Sequence, residues 1–165
     1  MPAMKDLVEA GPSDVRFVSP VSSLRAVLLT EMEQAGFPAI AARDELADDI
    51  AQLAELYCPI IKDNAVEIRI EFVTTDSCRK WHADYVTARL ITTYAGTGTH
   101  WLDDADIDRV RQGLEPIRIN ALGAGDVGIF KGKLIDGQPA IHRSPPIVGT
   151  GEKRLLVVLN PPSDS

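Results

Sequence analysis

Two histidines and one aspartate have the residue types and the spacing that a metal site requires. His82 and Asp84 are separated by a single residue, so their side chains point to the same side of an extended chain. His142 lies far along the sequence, at the end of a predicted strand. Two imidazoles and one carboxylate leave open positions around a metal ion, an arrangement characteristic of non-haem iron(II) oxygenases. The pattern predicts an iron site at these three residues.

Two other interpretations of the histidines stay open. His100 is the third histidine of the chain, and a three-histidine cupin site that includes it is the main alternative ligand set. In a metal-free protein, His82 and Asp84 are a solvated pair at a strand start, and His142 belongs to a rigid turn before two prolines. Imidazole and carboxylate accept several first-row metal ions, so zinc and manganese are alternatives to iron.

The composition is that of a folded domain and excludes one large class of partner. The chain has 165 residues, of which 45% are hydrophobic and 25% charged, and a single core usually serves about 100–200 residues. We therefore expect one domain over residues 1–165. The formal net charge is −7, and without a cluster of lysines and arginines the protein is not expected to bind nucleic acid through its phosphates.

Export and membrane insertion are not expected from the sequence. The N-terminus has early acidic residues and no apolar run typical of a secretory signal. The longest strongly apolar run, Leu155 to Leu159, is far below the roughly 18 residues of a membrane span. We expect a cytoplasmic protein, with Cys58 and Cys78 reduced and a small molecule as its substrate. The sequence leaves the oligomeric state open.

The first part of the chain, residues 1–64, is predicted to form a mainly helical layer. Apolar residues recur at helical spacing between Pro20 and Gly36, with Ser19 as the N-cap and Pro20 as the first helical residue. Pro59 is expected to end the second helix. A short acidic helix is predicted later, where three aspartates suit the positive N-terminal dipole. The three predicted helices span 20–36, 41–57 and 103–112.

The second part, residues 65–160, changes to a period of two. From Ala65 onward, apolar and charged residues alternate, which is typical of a half-buried strand. About eight strands are predicted, enough for a double-sheet barrel. The expected fold is therefore α+β, with N-terminal helices packed on a jelly-roll core. The predicted strands span 15–18, 65–73, 86–94, 97–102, 116–120, 127–131, 139–142 and 154–160.

The order of these features resembles a known enzyme family. Helices come first, followed by a strand-rich half with His-x-Asp, a Gly125-Asp126 turn, a distal histidine and a strand-borne arginine. This order is similar to that of the 2-oxoglutarate and iron(II)-dependent oxygenases, whose fold is the double-stranded β-helix, or cupin-like, barrel. The chain also resembles, over roughly residues 66–160, an uncharacterised bacterial family of unknown function. That local similarity is carried by residues 81–84, 94–101, 142–146 and 151–154.

The resemblance to the oxygenases implies a role for each matching residue. It implies His82, Asp84 and His142 as ligands of iron(II), with no catalytic residue beyond them. It further implies that Arg154 anchors the distal carboxylate of the co-substrate 2-oxoglutarate. A guanidinium presents a planar fork of donors that matches a carboxylate, and Arg154 opens a predicted strand twelve residues after His142.

Further contacts to the co-substrate have three candidates, Arg89, Tyr94 and Thr99. If side chains alternate strictly from Asp84 onward, Tyr94 shares the face of the ligands and Arg89 does not. Arg89 is then an ion-pair residue instead.

The first functional hypothesis is a small oxygenase that depends on iron(II) and 2-oxoglutarate, with an unknown prime substrate. The alternative is a cupin-like protein that binds a metal or a small molecule without oxidative turnover. A third hypothesis is a metal-free structural or interaction domain.

Overall fold

Four α-helices form within residues 2–163, the part of the chain that the computed structural model describes. Helix α4 is the predicted acidic helix, shortened by one residue at each end. None of the helices in this part of the chain is long and apolar enough to cross a membrane. The helices are α1 Pro2–Ala10, α2 Leu24–Gln34, α3 Ala41–Ile61 and α4 Asp104–Arg111.

Eight strands are present in the same residues and form two antiparallel sheets. The larger sheet has five strands in the order β1-β2-β8-β3-β6, and the smaller sheet has three in the order β5-β4-β7. The mixed α and β composition that the sequence predicts is thereby confirmed. The strands are β1 Val15–Pro20, β2 Ala65–Val73, β3 Ala88–Ala95, β4 His100–Trp101, β5 Asn120–Ala121, β6 Val127–Lys131, β7 His142–Arg143 and β8 Arg154–Asn160.

The larger sheet separates two apolar clusters. One face packs on the helices, and its alternate residues, such as Ile68 and Val157, are fully buried against α2 and α3. Each such side chain stabilises the fold by about 1.5–3 kcal/mol. The opposite face carries a smaller cluster that includes Ile91, Leu156 and Val158. This second face is the floor of the cavity described below, so the helices position the site through the sheet.

The first predicted helix begins too early in the sequence. Ser19 and Pro20 belong to strand β1, where Pro20 pairs with Ala65, and α2 starts only at Leu24. Ser19 is buried and its hydroxyl donates to the carbonyl oxygen of Pro20, at 2.9 Å, so it caps no helix. A proline is tolerated here because β1 is an edge strand, whose outward N–H groups have no partner in the sheet.

Pro59 does not end the second helix, contrary to the prediction. Helix α3 continues to Ile61 and ends at Lys62, which adopts the left-handed conformation with φ 57°. The Lys62 N–H bonds to the carbonyl oxygen of Cys58. Because Pro59 lies in the last turn, the helix is not interrupted in its interior, and the packing of buried Tyr57 and Cys58 holds this turn in place. Helix α1 has no counterpart among the predicted helices.

Three predicted strands are shorter than expected, with β4, β5 and β7 spanning two residues each. The segment before β5 shows the reason. The N–H groups of Ile117 and Arg118 donate to the carboxylate of Asp106 on α4, at 2.7 and 3.2 Å. A side chain therefore satisfies backbone groups that a sheet partner would otherwise take.

Gly132 closes the loop that carries Asp84, and we expect its replacement by alanine to be costly. A Cβ atom at this position would lie 1.9 Å from the carbonyl oxygen of Val86 and 3.0 Å from that of Asp84. Backbone atoms cannot yield as a side chain would, so Gly132→Ala should lower the free energy of unfolding by about 3 kcal/mol in chemical denaturation. Gly123→Ala is the control, because its Cβ would meet only the side chain of Asp126, at 3.2 Å. Equal stability of the two variants would contradict this packing.

Candidate functional site

The side chains of His82, Asp84 and His142 converge on one point. Each offers one potential ligand atom, and these three atoms lie within 4.8 Å of one another. Oδ2 of Asp84 is 3.0 Å from Nε2 of His142, and Oδ1 is 3.6 Å from Nε2 of His82. Two atoms bound at right angles, each about 2.1 Å from a metal ion, are about 3.0 Å apart. The spacing is therefore suited to a first-row metal ion.

A reciprocal pair of backbone hydrogen bonds brings the two histidines together. The N–H of His82 donates to the carbonyl oxygen of His142 and the N–H of His142 to that of His82, both at 3.0 Å. This antiparallel bridge places the imidazoles side by side, with their centroids 4.6 Å apart and their planes inclined by 53°. The ring of Phe130 lies at the same distance from His142. Both rings are thus held by main-chain pairing and aromatic packing.

Polar contacts around the three residues fit a cation. Nδ1 of His82 lies 2.8 Å from the carbonyl oxygen of Lys80. Only a protonated nitrogen can donate to a carbonyl, so Nδ1 carries the hydrogen and Nε2 keeps its lone pair, as in metal-binding histidines. Oδ2 of Asp84 is buried and accepts no hydrogen bond within the described residues. Such an oxygen is costly in a protein interior, and a bound cation would remove that cost.

The ionisation of Asp84 is favoured by its neighbours. Burial acts to raise the pKa of this carboxyl group, but the imidazoles of His142 and His82 and the guanidinium of Arg89 outweigh it and lower the pKa below its ordinary value. Nη1 of Arg89 donates to Oδ1 of Asp84 at 2.7 Å. A backbone contact from the Lys133 N–H to the Asp84 carbonyl oxygen, at 2.9 Å, fixes the main chain. Asp84 is held as an anion in a defined orientation.

Metal affinity is expected to fall as the pH is lowered, because of His82. The contact with Asp84 raises the pKa of His82 above its ordinary value of 6.5, although burial opposes the shift. A protonated imidazole cannot bind a metal, so the dissociation constant for cobalt(II) should rise about tenfold for each pH unit below that pKa. Asp84 stays ionised over this range, since its pKa is lowered. Titrations between about pH 5 and 7.5 that give a constant affinity would contradict the assignment.

The prediction that Tyr94 shares the face of the ligands and Arg89 does not is wrong. Tyr94 is buried in the core on the helical side of the sheet, where its hydroxyl donates to the carboxylate of Asp49 on α3. Arg89 instead faces the site and forms the ion pair with Asp84. Strict alternation fails because a bend at residues 85–87 separates Asp84 from strand β3.

Arg154 is fully buried at the start of β8. Its Nε donates to the carbonyl oxygen of Thr97 at 2.6 Å, and Nη2 lies 3.4 Å from the hydroxyl of Thr93. Both partners are neutral, and Nη1 is buried without a partner among residues 2–163. Burial lowers the pKa of this guanidinium, yet arginine stays charged in proteins. The result is a buried cation with a free donor, which is suited to an anion.

His100 lies in a different cluster from the three converging residues. Its Nδ1 accepts a hydrogen bond from Nε of Arg143 at 3.3 Å. The guanidinium of Arg143 in turn stacks over the ring of Trp81, at 4.3 Å from its centroid. Burial and the charge of Arg143 lower the pKa of His100. The alternative ligand set that includes His100 is not assembled in this arrangement.

A cavity of about 130 Å³ lies beside the candidate ligands, between the two sheets. Ile91, Leu156 and Val158 form its apolar floor, and Thr99 lines it from the smaller sheet's side. Strand β2 contributes Arg69 and Glu71, which the sequence analysis did not single out. In the sequence these two residues alternate with apolar residues. The same alternation is typical of a strand with one solvent-facing surface, so it does not indicate a cavity.

The whole architecture matches one protein family. The sequence profile of a protein family of unknown function, DUF1826, matches residues 2–160. The chain belongs to this family. Because the match includes the helical layer and the strands, the DUF1826 domain contains the entire candidate site. No curated protein sequence matches the chain.

Solved structures resemble this DUF1826 domain in fold. A dioxygenase for auxin oxidation from Arabidopsis thaliana, determined with 2-oxoglutarate, is 14% identical, with 94% of this chain and 69% of that chain covered and a TM-score of 0.50. A hydroxypropylphosphonic acid epoxidase from S. wedmorenis is also 14% identical, but only 58% of this chain and 42% of that chain are covered, with a TM-score of 0.37. The chain thus spans less than half of the epoxidase. The likeness to the dioxygenase concerns the fold alone.

Proposed function

We propose that this protein is an oxygenase that depends on iron(II) and 2-oxoglutarate and acts on a small molecule. The observation that carries the proposal is the convergence of two imidazoles and one carboxylate at the edge of a small cavity. Oδ2 of Asp84 is buried there, 3.0 Å from Nε2 of His142, and accepts no hydrogen bond within residues 2–163. Two histidines and one carboxylate are the ligand set of non-haem iron(II) oxygenases. The cavity supplies room for a co-substrate beside the metal.

The proposed ligands are Nε2 of His82, Oδ2 of Asp84 and Nε2 of His142. His82 is fixed in the required tautomer by Lys80, and His142 is fixed by the backbone bridge and by Phe130. Three protein ligands leave open positions that a chelating co-substrate and dioxygen can share. We take the two facing sheets to be a double-stranded β-helix, which presents such ligands from one end of the barrel.

Arg154 is the proposed anchor for 2-oxoglutarate. Its guanidinium is buried, its hydrogen-bond partners are neutral, and Nη1 has no partner among residues 2–163, although the carboxylates of Glu152 and Glu71 are near enough to favour its charge. The distal carboxylate of a 2-oxo diacid would neutralise this charge and accept that donor, which makes a charge-assisted hydrogen bond. Thr99 lines the cavity between the two sheets and is a further candidate contact. The dioxygenase of similar fold from Arabidopsis thaliana was determined with 2-oxoglutarate bound, in line with this assignment.

The chain's own residues bind, orient and shelter the reactants. When bound, iron(II) and 2-oxoglutarate supply the oxidation: dioxygen converts the co-substrate to succinate and carbon dioxide, one oxygen atom enters succinate, and the other oxidises the prime substrate. Arg154 orients the co-substrate through its distal end. Ile91, Leu156 and Val158 form an apolar floor, whose proposed role is to limit the access of water and so to protect a reactive site from side reactions.

Iron-dependent conversion of 2-oxoglutarate to succinate tests this function. The wild-type protein, supplied with iron(II), ascorbate and dioxygen, should form succinate even without a prime substrate, at a slow uncoupled rate. Asp84→Asn keeps the size of the side chain and removes its charge, and should form none. Arg25→Gln, which alters an exposed ion pair with Asp48, is the control and should behave as wild type. Equal succinate from all three proteins would contradict the proposal.

A second candidate is a metal- or small-molecule-binding protein without oxidative turnover. It is favoured by the position of Tyr94, which lies on the far side of the sheet and therefore cannot serve as one of the three candidate contacts to the co-substrate. Stoichiometric binding of iron(II) without any succinate would support it over the oxygenase.

A further inference from the structure

A chain of buried and half-buried polar side chains runs from Asp84 across the larger sheet to strand β2. Nη1 of Arg89 donates to Oδ1 of Asp84 at 2.7 Å, and Nε of the same residue donates to Oδ1 of Asn160 at 2.5 Å. Nδ2 of Asn160 donates to Oε1 of Glu67 at 2.9 Å, and Glu67 also accepts from Arg69 at 3.0 Å. The chain therefore crosses strands β3, β8 and β2.

Each group in this chain has its orientation determined by the next. Asn160 uses its oxygen for Arg89 and its nitrogen for Glu67, so the flipped orientation of its amide would satisfy neither partner. Asn160 and Glu67 are buried, where a lost hydrogen bond is costly. A guanidinium does not lose its proton in proteins. Arg89 is thus a fixed cation whose fork is shared between Asn160 and Asp84.

The two oxygens of Asp84 are treated differently. Oδ1 is engaged by Arg89, whereas Oδ2 is buried, lies 3.0 Å from Nε2 of His142 and accepts no hydrogen bond in the described residues. A carboxylate can bind a metal ion through one oxygen or through both. Because the hydrogen bond from Arg89 takes one lone pair of Oδ1 and holds that oxygen toward the guanidinium, binding through Oδ2 alone is favoured over binding through both oxygens.

We propose that Arg89 is a positioning residue that reserves Oδ1 of Asp84, so that Asp84 binds the metal through Oδ2 alone. This inference rests on the proposed metal site and deepens it. One-oxygen binding keeps a coordination position free that a two-oxygen carboxylate would fill. In this role Arg89 does not bind the co-substrate. It controls how many oxygen atoms of Asp84 bind the metal.

Infrared difference spectra recorded on adding zinc(II) to the metal-free protein test the proposal. A carboxylate that binds through one oxygen has widely separated antisymmetric and symmetric stretching bands, and one that binds through both has closely spaced bands. We expect wide separation in the wild type and a narrower one in Arg89→Met, which has neither charge nor donor. Arg89→Lys restores a charged donor for Oδ1 and should restore the wide separation. Arg25→Met, at an exposed ion pair, is the matched control.

The outcomes separate this inference from the metal site itself. A wild-type spectrum that does not respond to zinc(II) overturns the metal site and the inference with it. A response in the wild type with the same separation in Arg89→Met overturns the inference alone. Asn160→Ala is a second variant that retains the guanidinium but removes its anchor, and it should narrow the separation by a smaller amount. If Arg89→Met does not fold, wild-type separation in Asn160→Ala overturns the positioning role.

Discussion

Replacing His82 with alanine is expected to raise the dissociation constant for iron(II) by more than about 100-fold, since even the loss of a residue that only supports a ligand costs 10–100-fold. The fold should survive, because the bridge between His82 and His142 uses main-chain atoms and the His82 side chain is one-third exposed. Anaerobic calorimetry with iron(II) measures the affinity, and circular dichroism checks the fold.

The matched control for this variant is His100→Ala. His100 is also partly buried, but its ring bonds to Arg143 and lies outside the three converging residues. The control should bind one iron(II) per chain as tightly as the wild type. Equal loss of affinity in both variants would favour a ligand set that includes His100, and unchanged affinity in both would contradict the assignment of His82 as a ligand.

Replacing Arg154 with methionine is expected to weaken the binding of 2-oxoglutarate while leaving the stability of the fold nearly unchanged. The affinity of the iron-loaded protein for 2-oxoglutarate should fall roughly 100-fold, because the co-substrate's distal carboxylate loses its buried partner. The free energy of unfolding of the metal-free protein should change by no more than about 1 kcal/mol. The lost hydrogen bonds to Thr97 and Thr93 are offset by the removal of a buried cation that has no carboxylate among its hydrogen-bond partners in the described residues and is stabilised only through space by Glu152 and Glu71.

Calorimetry with 2-oxoglutarate and chemical denaturation measure the two effects. Succinate, which retains the distal carboxylate but lacks the keto group, should lose affinity by a similar factor in Arg154→Met. If Arg154 is only a structural residue, the variant will unfold more easily and bind 2-oxoglutarate as the wild type does. That result would overturn the assignment of Arg154 as the anchor of the co-substrate.

Two of the three candidate ligands can be predicted from the sequence because they lie close together in the chain. His82 and Asp84 are two residues apart, and this spacing on an extended segment places both side chains on one side whatever the rest of the fold does. His142 was found through its residue type and its place at a predicted strand. The bridge that pairs it with His82 joins distant parts of the chain, and no short-range pattern contains that information.

Errors arose where a tertiary contact overrides a local pattern. The bend at residues 85–87 breaks the regular alternation of side-chain directions between Asp84 and β3. Tyr94 therefore lies on the helical side of the sheet, and Arg89 faces the site. Pro20 fits a helix start by its type, yet the pairing of β1 with β2 extends through it. Each error concerns register or boundaries, and neither is encoded in residue type alone.

The position of the charged face of β2 could not be predicted from the sequence, for a different reason. Glu67, Arg69 and Glu71 alternate with apolar residues, and such a pattern usually marks one solvated face. In the folded chain this face lines the space between two sheets, where Glu67 is buried and joins the hydrogen bonds that reach Asp84 through Arg89. The alternating pattern is the same for a solvated face and for a face that a second sheet covers, so only the folded structure distinguishes them.

Joint binding of iron(II) and 2-oxoglutarate at one site is tested most directly by an anaerobic titration. The metal-free protein is titrated with iron(II), with and without 2-oxoglutarate, while the visible charge-transfer absorption between them is recorded. We predict a band that requires both components, is absent in His82→Ala and is weakened in Arg154→Met. Stoichiometric binding of iron(II) without such a band would contradict the oxygenase assignment and identify the protein as a metal-binding domain.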